Sequence, residues 1–389
     1  MENTNEEQIN KEENIEKVEK VGKKEIESQL IESIKNRENP TKEKLEIAEE
    51  IDFKSIPDEV IKTDEYGFFS KETEEKPKDQ KELLKLNARI EKWNDMIEHF
   101  NIYLTSKFSK LKERTRKGIP DSLRGYIWQK FAEIDKYKIE NKYNELLNDK
   151  QPLDKATENV IIKDLDRTFP SNFFFKDKYG SGQRKLYHVL TCYSKFNKKT
   201  GYVQGMGFIS ALFLTYMDEE SSFYLLHSLM KKYQLEGVYL PEFPELKKHF
   251  YVLLILLKKH LFKIYDVFKS CDMMPSMYAS EWFITLFCRE LNFKYLVRFF
   301  DVFLLEGRKI IYRFGLALLK LKENEFINAK KGGISGVMNV IHEIYSDIDL
   351  DALFKIAFKF SISKSFIKQC EDEYEKVKND DKNEFISQL

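Results

Sequence analysis

Apolar residues recur at spacings of three and four along most of the chain, which is the period of an α-helix. The first stretch has them at Leu83, Leu86, Ile90, Trp93, Ile97 and Phe100. The same period returns at residues 123–131, 186–196, 208–216, 282–286, 296–305, 310–321, 337–345 and 353–360. Alternation of period two, bounded by turn residues at hairpin spacing, is not sustained anywhere. The pattern predicts an all-α fold with many helices in a single large domain.

The composition changes along the chain. The first fifty residues are rich in Glu, Lys, Asn and Ile and contain no aromatic residue. Such a segment buries too little apolar surface to dock firmly, so we predict a disordered or loosely helical charged tail over residues 1–60. Aromatic residues appear beside a glycine at 64–69, which predicts the entry to the folded part. We therefore predict a domain over 61–375, with a motif core at 114–350, and a C-terminal tail at 376–389.

The net charge and the distribution of apolar residues argue against several classes of protein. The chain has 65 basic and 65 acidic residues, so no overall positive charge favours nucleic acid as a partner. The most apolar run, 251–257, is broken by Lys258 and Lys259 and is far shorter than the roughly 20 residues of a membrane span. The N-terminus resembles no secretory signal. We expect no transmembrane segment and a cytoplasmic protein.

The cysteines and histidines form no pattern typical of a metal site or a disulfide framework. The four cysteines are far apart without a CxxC pair, and the six histidines form no HxxxH motif. We predict four free thiols in a reducing compartment and no metal site.

The segment 116–128 combines a turn with the start of a helix. Gly118 and Pro120 fix the turn, and the helix after them places Arg124 and Trp128 four residues apart on one face. A guanidinium and an indole on one face suit a buried scaffold. We therefore interpret this segment as structural, with seven candidate residues: Arg116, Gly118, Pro120, Leu123, Arg124, Gly125 and Trp128.

Two further segments contain candidates for chemistry. In 161–170, Asp164 and Arg167 are three residues apart, and Pro170 ends the helix soon afterwards, so Arg167 lies in or near its last turn. The arginine could serve only the helix dipole or an ion pair with Asp164. In 199–208, three glycines surround Gln204 ahead of an apolar helix, so its amide can point outward. A loop glutamine that bonds nearby backbone is the alternative.

Motifs of self-contained catalysts are absent from the sequence. It has no GxxxxGK[ST] loop, no GxGxxG after a strand, no HExxH and no GxSxG. If this chain takes part in catalysis, it does not supply a complete active site.

Taken together, RKGIPDSLRGYIW, IIKDLDRTFP and GYVQGM, in this order and with these gaps, resemble the signature motifs of the TBC domain of Rab GTPase-activating proteins. The resemblance extends to 64–68, 91–93, 186–197, 277–287 and 300–307, and so covers most of 64–360. Departures are minor. Phe300 stands where many members have Trp, and Ile127 where Val is common.

The resemblance implies that the chain activates a GTPase and is not an enzyme with its own active site. Arg167 would be an arginine finger and Gln204 a glutamine finger, both supplied in trans to a GTP-bound Rab-type GTPase. Asp164 would orient Arg167, while Tyr202, Gly205 and Met206 would shape the Gln204 loop. No cofactor of its own is implied, because the GTP and Mg belong to the partner.

Such proteins regulate vesicle trafficking, which would place the chain in the cytoplasm and peripherally on endomembranes through partners. Two alternatives stay open: a catalytically silent module that binds a GTPase, and a helical scaffold unrelated to GTPases.

Overall fold

The computed structural model describes residues 63–69, 80–379 and 386, all within one compact unit, Ala48–Leu389. The tail predicted at 1–60 lies outside the described residues. The last helix runs to Val377, past the domain boundary that we predict at 375.

The described residues are helical, as the apolar period predicts, and the only β-pairings among them are isolated bridges. The first nine helices are α1 Gln80–Glu98, α2 Phe100–Leu104, α3 Phe108–Arg116, α4 Asp121–Ala132, α5 Lys142–Asn148, α6 Lys155–Arg167, α7 Ser181–Phe196, α8 Met206–Leu214 and α9 Glu219–Lys231. The others are α10 Pro244–His260, α11 Phe262–Ser270, α12 Pro275–Tyr278, α13 Ser280–Ile284, α14 Phe293–Glu306, α15 Lys309–Leu321, α16 Glu323–Ala329, α17 Gly333–His342, α18 Leu350–Ala357 and α19 Lys364–Val377.

Helix α7 positions the elements that carry the candidate residues. It packs against α6 on one side and against α8 and α9 on others, so that its side chains are buried on several faces. The C-terminus of α6 and the N-terminus of α8 are thereby fixed to the same support. Elsewhere the core combines aliphatic side chains with many aromatic ones, and Trp93, Trp128 and Trp282 are almost fully buried.

The apolar period predicts the helix α1, which the structure has, but that period does not form a continuous core face, because Leu83 is 47% exposed and only Trp93 and Met96 of that helix are buried. At the start of α4, Pro120 occupies the N-cap position and Asp121 is the first helical residue, so the Asp121 side chain does not cap the helix. The Asp121 carboxylate contacts Arg124 instead.

All four cysteines are free and buried, as predicted. Within 63–69 and 80–379, no group of His, Cys, Asp or Glu side chains is arranged to hold a metal ion. Nor does any helix in these ranges have the length and apolarity needed to cross a bilayer.

Candidate functional site

Helix α6 places Arg167 at the surface of the domain. Its N-terminus is capped by Asp154, whose carboxylate accepts a hydrogen bond from the Thr157 amide at 2.9 Å. The helix ends at Arg167 because Thr168 is extended and Phe169 has a φ of 48°. The side chain of Arg167 is 43% exposed. As the last helical residue, Arg167 also complements the negative end of the helix dipole.

The buried carboxylate of Asp164 contacts both Arg167 and the loop that contains Gln204. Asp164 forms an ion pair with Arg167 through Oδ1 and accepts a hydrogen bond from the Tyr202 hydroxyl on Oδ2 at 2.6 Å. Burial raises the pKa of Asp164, whereas Tyr202 and Arg167 act in the opposite direction. Burial and the neighbouring Asp164 raise the pKa of Tyr202 well above its usual value. Tyr202 therefore stays a donor, and the contact links α6 to the loop before α8.

The loop before α8 exposes Gln204. On its C-terminal side, Gly205 has a φ of 108°, which side chains with a Cβ rarely adopt. A Cβ at Gly205 would also lie 2.9 Å from Cγ2 of Ile284. Met206, the first residue of α8, is fully buried. Gln204 therefore projects outward between two anchored neighbours, Tyr202 and Met206.

Arg167 and Gln204 line the same open cleft, which has a volume of about 710 Å³ and which we call the Arg167–Gln204 cleft. The rest of its lining comes mainly from the segments 64–69 and 169–171, from α13 and from the approach to α14. This lining includes an ion pair at 3.2 Å between Arg289 and Glu281. Sequence reasoning assigned no role to Arg289, and no motif in the sequence indicates one. Of the supporting residues that we predicted, Gly205 lines the cleft too.

The segment 116–128 lies away from the cleft and converges on a buried carboxylate of α14. Asp301 accepts hydrogen bonds from the Ile119 amide at 3.0 Å, from Nε of Arg124 at 3.1 Å and from Nε1 of Trp128 at 2.9 Å. Burial raises the pKa of Asp301, and Arg124 opposes that shift. The spacing of Arg124 and Trp128 thus aims both donors at one acceptor.

The other residues of this segment also serve packing. Arg116 forms two hydrogen bonds with the Glu306 carboxylate, at 2.6 and 2.9 Å. Gly118 has a φ of 98°, and a Cβ at Gly125 would lie 2.2 Å from the Tyr216 carbonyl oxygen. Pro120 is buried and Leu123 is partly buried. Arg116 thus links α3 to α14, and the absence of a side chain at Gly125 lets α4 approach Tyr216 closely.

The all-helical fold and an open cleft that presents an arginine and a glutamine define the class of this domain. The chain belongs to the Rab-GTPase-TBC domain family, whose model matches residues 121–327, more than half of its length.

Relatives and a solved structure agree with this assignment. The chain is 31% identical to the human ecotropic viral integration site 5 protein homolog over 76% of this chain and 36% of the relative. It is 30% identical to the Rab GTPase-activating protein tbc-11 of Caenorhabditis elegans over 74% of this chain and 31% of the relative. The crystal structure of the Chlamydomonas flagellar RabGAP TBC domain is 26% identical and matches with a TM-score of 0.58, over 77% of this chain and 99% of that one. The chain thus spans about a third of the length of these two curated relatives.

Proposed function

We propose that this chain stimulates GTP hydrolysis by a Rab-type small GTPase, supplying Arg167 and Gln204 to the partner's nucleotide site. The observation that carries the proposal is geometric. Two side chains from separate elements, the last residue of α6 and the loop before α8, line one open cleft.

The chemistry of the two groups fits phosphoryl transfer. Hydrolysis of GTP spreads negative charge over the transferring phosphate, and it needs the attacking water held in line. A guanidinium is always charged and offers several donors in a planar fork, so Arg167 would stabilise that charge where a lysine would not. The carboxamide of Gln204 would position the water, a task otherwise performed by a glutamine of the GTPase.

Asp164 and Tyr202 would organise Arg167 before the partner arrives. The Asp164 carboxylate is held by the Tyr202 hydroxyl and in turn pairs with Nη2 of the Arg167 guanidinium. This arrangement reduces the conformational freedom that Arg167 loses on docking. Gly205 and Met206 would fix the direction of Gln204, since one permits the turn and the other anchors α8 in the core.

The expected energies distinguish a catalytic role of Arg167 from a merely structural one. An arginine finger accelerates hydrolysis by about 10³ to 10⁵, or on the order of 4 to 7 kcal/mol of barrier. Because the Arg167 side chain is 43% exposed, solvent screens its ion pair with the buried Asp164, and the pair stabilises the fold by on the order of 1 kcal/mol. Loss of the guanidinium should therefore affect catalysis far more than folding.

The relatives support the choice of partner. One is named a Rab GTPase-activating protein, and the crystal structure above is of a RabGAP TBC domain. By this proposal the partner is a Rab in its GTP-bound form, and the GTP and Mg are the partner's. The chain itself needs no cofactor and would regulate vesicle trafficking from the cytoplasmic face of endomembranes, recruited there by partners.

The test is single-turnover GTP hydrolysis by a panel of purified Rab proteins, with and without this chain. We expect strong stimulation of at least one Rab. Binding to each Rab in the presence of GDP and fluoroaluminate, which mimics the transferring phosphate, is measured in parallel. Binding without stimulation would indicate the catalytically silent module, and absence of both across the panel would overturn the proposal.

A further inference from the structure

Aromatic side chains form part of the lining of the Arg167–Gln204 cleft. Five of its lining residues are phenylalanines, and we call them the aromatic shelf: Phe68, Phe69, Phe169, Phe208 and Phe293. Phe169 contacts three of the others. Its ring centroid is 5.7 Å from that of Phe68, 5.9 Å from that of Phe208 and 5.7 Å from that of Phe293. A phenyl ring neither stabilises developing negative charge nor positions an attacking water, so the shelf needs a role different from that of the candidate fingers.

The aromatic shelf adjoins both candidate fingers. Phe169 is two residues after Arg167, and Phe208, in the first turn of α8, is four residues after Gln204. The rings of these two phenylalanines meet edge to face, with an interplanar angle of 77°. A partner that brings its γ-phosphate to the fingers therefore brings the segments around that phosphate to the shelf. In a GTPase these are the switch segments, which the γ-phosphate and its Mg²⁺ hold in order.

Two rings of the shelf belong to a turn before α1, residues 64–69, which we call the entry turn. The Asp64 carboxylate accepts a hydrogen bond from the Phe68 amide at 2.8 Å, and the Phe69 amide donates one to the Ser171 carbonyl oxygen at 2.9 Å. The backbone of the entry turn is thereby fixed to the segment that follows α6. Since the turn is already ordered, a partner that contacts it does not have to order it.

Part of the aromatic shelf is open to solvent. Phe69 is 38% exposed, Phe68 and Phe208 are partly exposed, and the other two rings are buried. Lys176 contacts the Phe69 ring, with Nζ 5.1 Å from the ring centroid, which restricts the ring without covering it. Exposed aromatic rings that are grouped in a concave site favour an apolar ligand.

We propose that the aromatic shelf receives an apolar side chain from a switch segment of the GTPase and thereby contributes to the choice of partner. This inference rests on the proposed function, because it concerns the same cleft. The occupant follows from continuity, since the partner that places its nucleotide against the fingers also covers the rest of the cleft. The switch segments are ordered only while the γ-phosphate is bound, so the shelf also favours the GTP-bound form.

The position of the entry turn suits partner choice. The residues proposed to act on the nucleotide, Arg167 and Gln204, lie within the region that the family model matches, 121–327, and the entry turn lies outside it. An apolar contact is made equally in the docked complex and in the transition state. It therefore strengthens binding without changing the rate of the chemical step.

The experiment is single-turnover GTP hydrolysis by a responsive Rab at increasing concentrations of the full chain, which separates the half-saturating concentration from the maximal rate. Phe69→Ala should raise the half-saturating concentration about tenfold, the scale of an exposed aromatic surface that is no longer buried on binding. The maximal rate should stay near that of the wild type. Phe69→Leu keeps an apolar surface and should recover most of the loss. Phe208→Leu should act in the same direction as Phe69→Ala.

The matched control is Phe108→Ala, because Phe108 is also 38% exposed but lies outside the lining of the cleft. It should leave both parameters unchanged, and thermal melts show that each variant is folded. On the partner, exposed apolar residues of the switch segments are replaced by alanine one at a time. At least one replacement should weaken stimulation by the wild-type chain but add little to the effect of Phe69→Ala, as expected for two side chains in contact.

The outcomes distinguish this inference from the proposed function. Stimulation by the wild type and its loss in Arg167→Ala are measured in the same assay. If both are seen while folded Phe69→Ala and Phe208→Leu keep the wild-type half-saturating concentration, the shelf is overturned and the activation stands. A fall in maximal rate alone would also overturn the shelf, because it would mean that the rings support the fingers and do not contact the partner. Absence of stimulation by the wild type would overturn both proposals.

Discussion

Replacing Tyr202 by Phe removes a single oxygen atom from the link between the two candidate fingers. The hydroxyl donates to the buried Asp164 carboxylate at 2.6 Å. Hydrogen bonds to charged groups contribute about 1.5 to 3 kcal/mol, so we expect Tyr202→Phe to lose about 2 kcal/mol of unfolding free energy. Urea titration followed by circular dichroism measures that loss.

The same substitution should affect function through Asp164. The Tyr202 hydroxyl lowers the pKa of Asp164 against the effect of burial, so the pKa rises further without it. Only the ionised carboxylate can hold Arg167. We therefore expect stimulated hydrolysis to fall by about 10- to 100-fold, the scale of a misplaced catalytic group. The loss should grow as the pH is lowered, and it should begin at a higher pH than in the wild type.

Tyr126→Phe is the matched control, because the Tyr126 side chain is 48% exposed and its hydroxyl makes no hydrogen bond with the described residues. It should leave stability and the pH profile unchanged. If Tyr202→Phe behaves like Tyr126→Phe in both measurements, the link through Asp164 does not position Arg167.

Three further predictions follow from the buried groups. Asp301→Ala leaves the buried Arg124 guanidinium with only the exposed Asp121 carboxylate, so we expect a loss of about 3 to 5 kcal/mol in a denaturant titration; a loss under 1 kcal/mol would contradict the network. Gly205→Ala forces a residue with a Cβ into a φ of 108°, which should lower the free energy of unfolding by about 1 to 3 kcal/mol. It should also impair stimulated hydrolysis by changing the direction of Gln204. Gly332→Ala, where a Cβ would meet no atom within 4 Å, should change neither stability nor hydrolysis. Burial lowers the pKa of His249 to about 3, so below pH about 6.5 the unfolded chain binds a proton at this residue that the folded chain does not. The free energy of unfolding should therefore fall by about 2 kcal/mol between pH 7 and pH 5. His249→Asn should reduce this pH dependence in urea titrations at each pH.

Features of the fold could be predicted where the residues that indicate them lie nearby in the sequence. The apolar period gives the helical class, and Pro170 places the end of α6 near Arg167, where the helix does end. The glycines around Gln204 predict a loop ahead of an apolar helix, which is α8. Both signals lie within a few residues of the feature that they predict.

Features that depend on distant contacts could not be predicted in this way. Nothing near Arg124 or Trp128 indicates that both donors meet Asp301, which is far along the chain. The rest of the lining of the Arg167–Gln204 cleft comes from 64–69 and from residues 281–293, which only the packing of distant segments brings together, and no motif indicates that Arg289 is part of it. In α1, the helical period predicts the helix but does not indicate which of its apolar positions are covered, and Leu83 is exposed.

The most direct test of the account measures single-turnover GTP hydrolysis by a responsive Rab with wild-type chain, Arg167→Ala, Arg167→Lys and Gln204→Ala. Thermal melts of each variant run alongside. We predict that stimulation falls by about 10³ to 10⁵ in both Arg167 variants and collapses in Gln204→Ala, while the melting temperatures stay near that of the wild type. Full stimulation by folded Arg167→Ala would contradict the claim that this guanidinium enters the partner's nucleotide site.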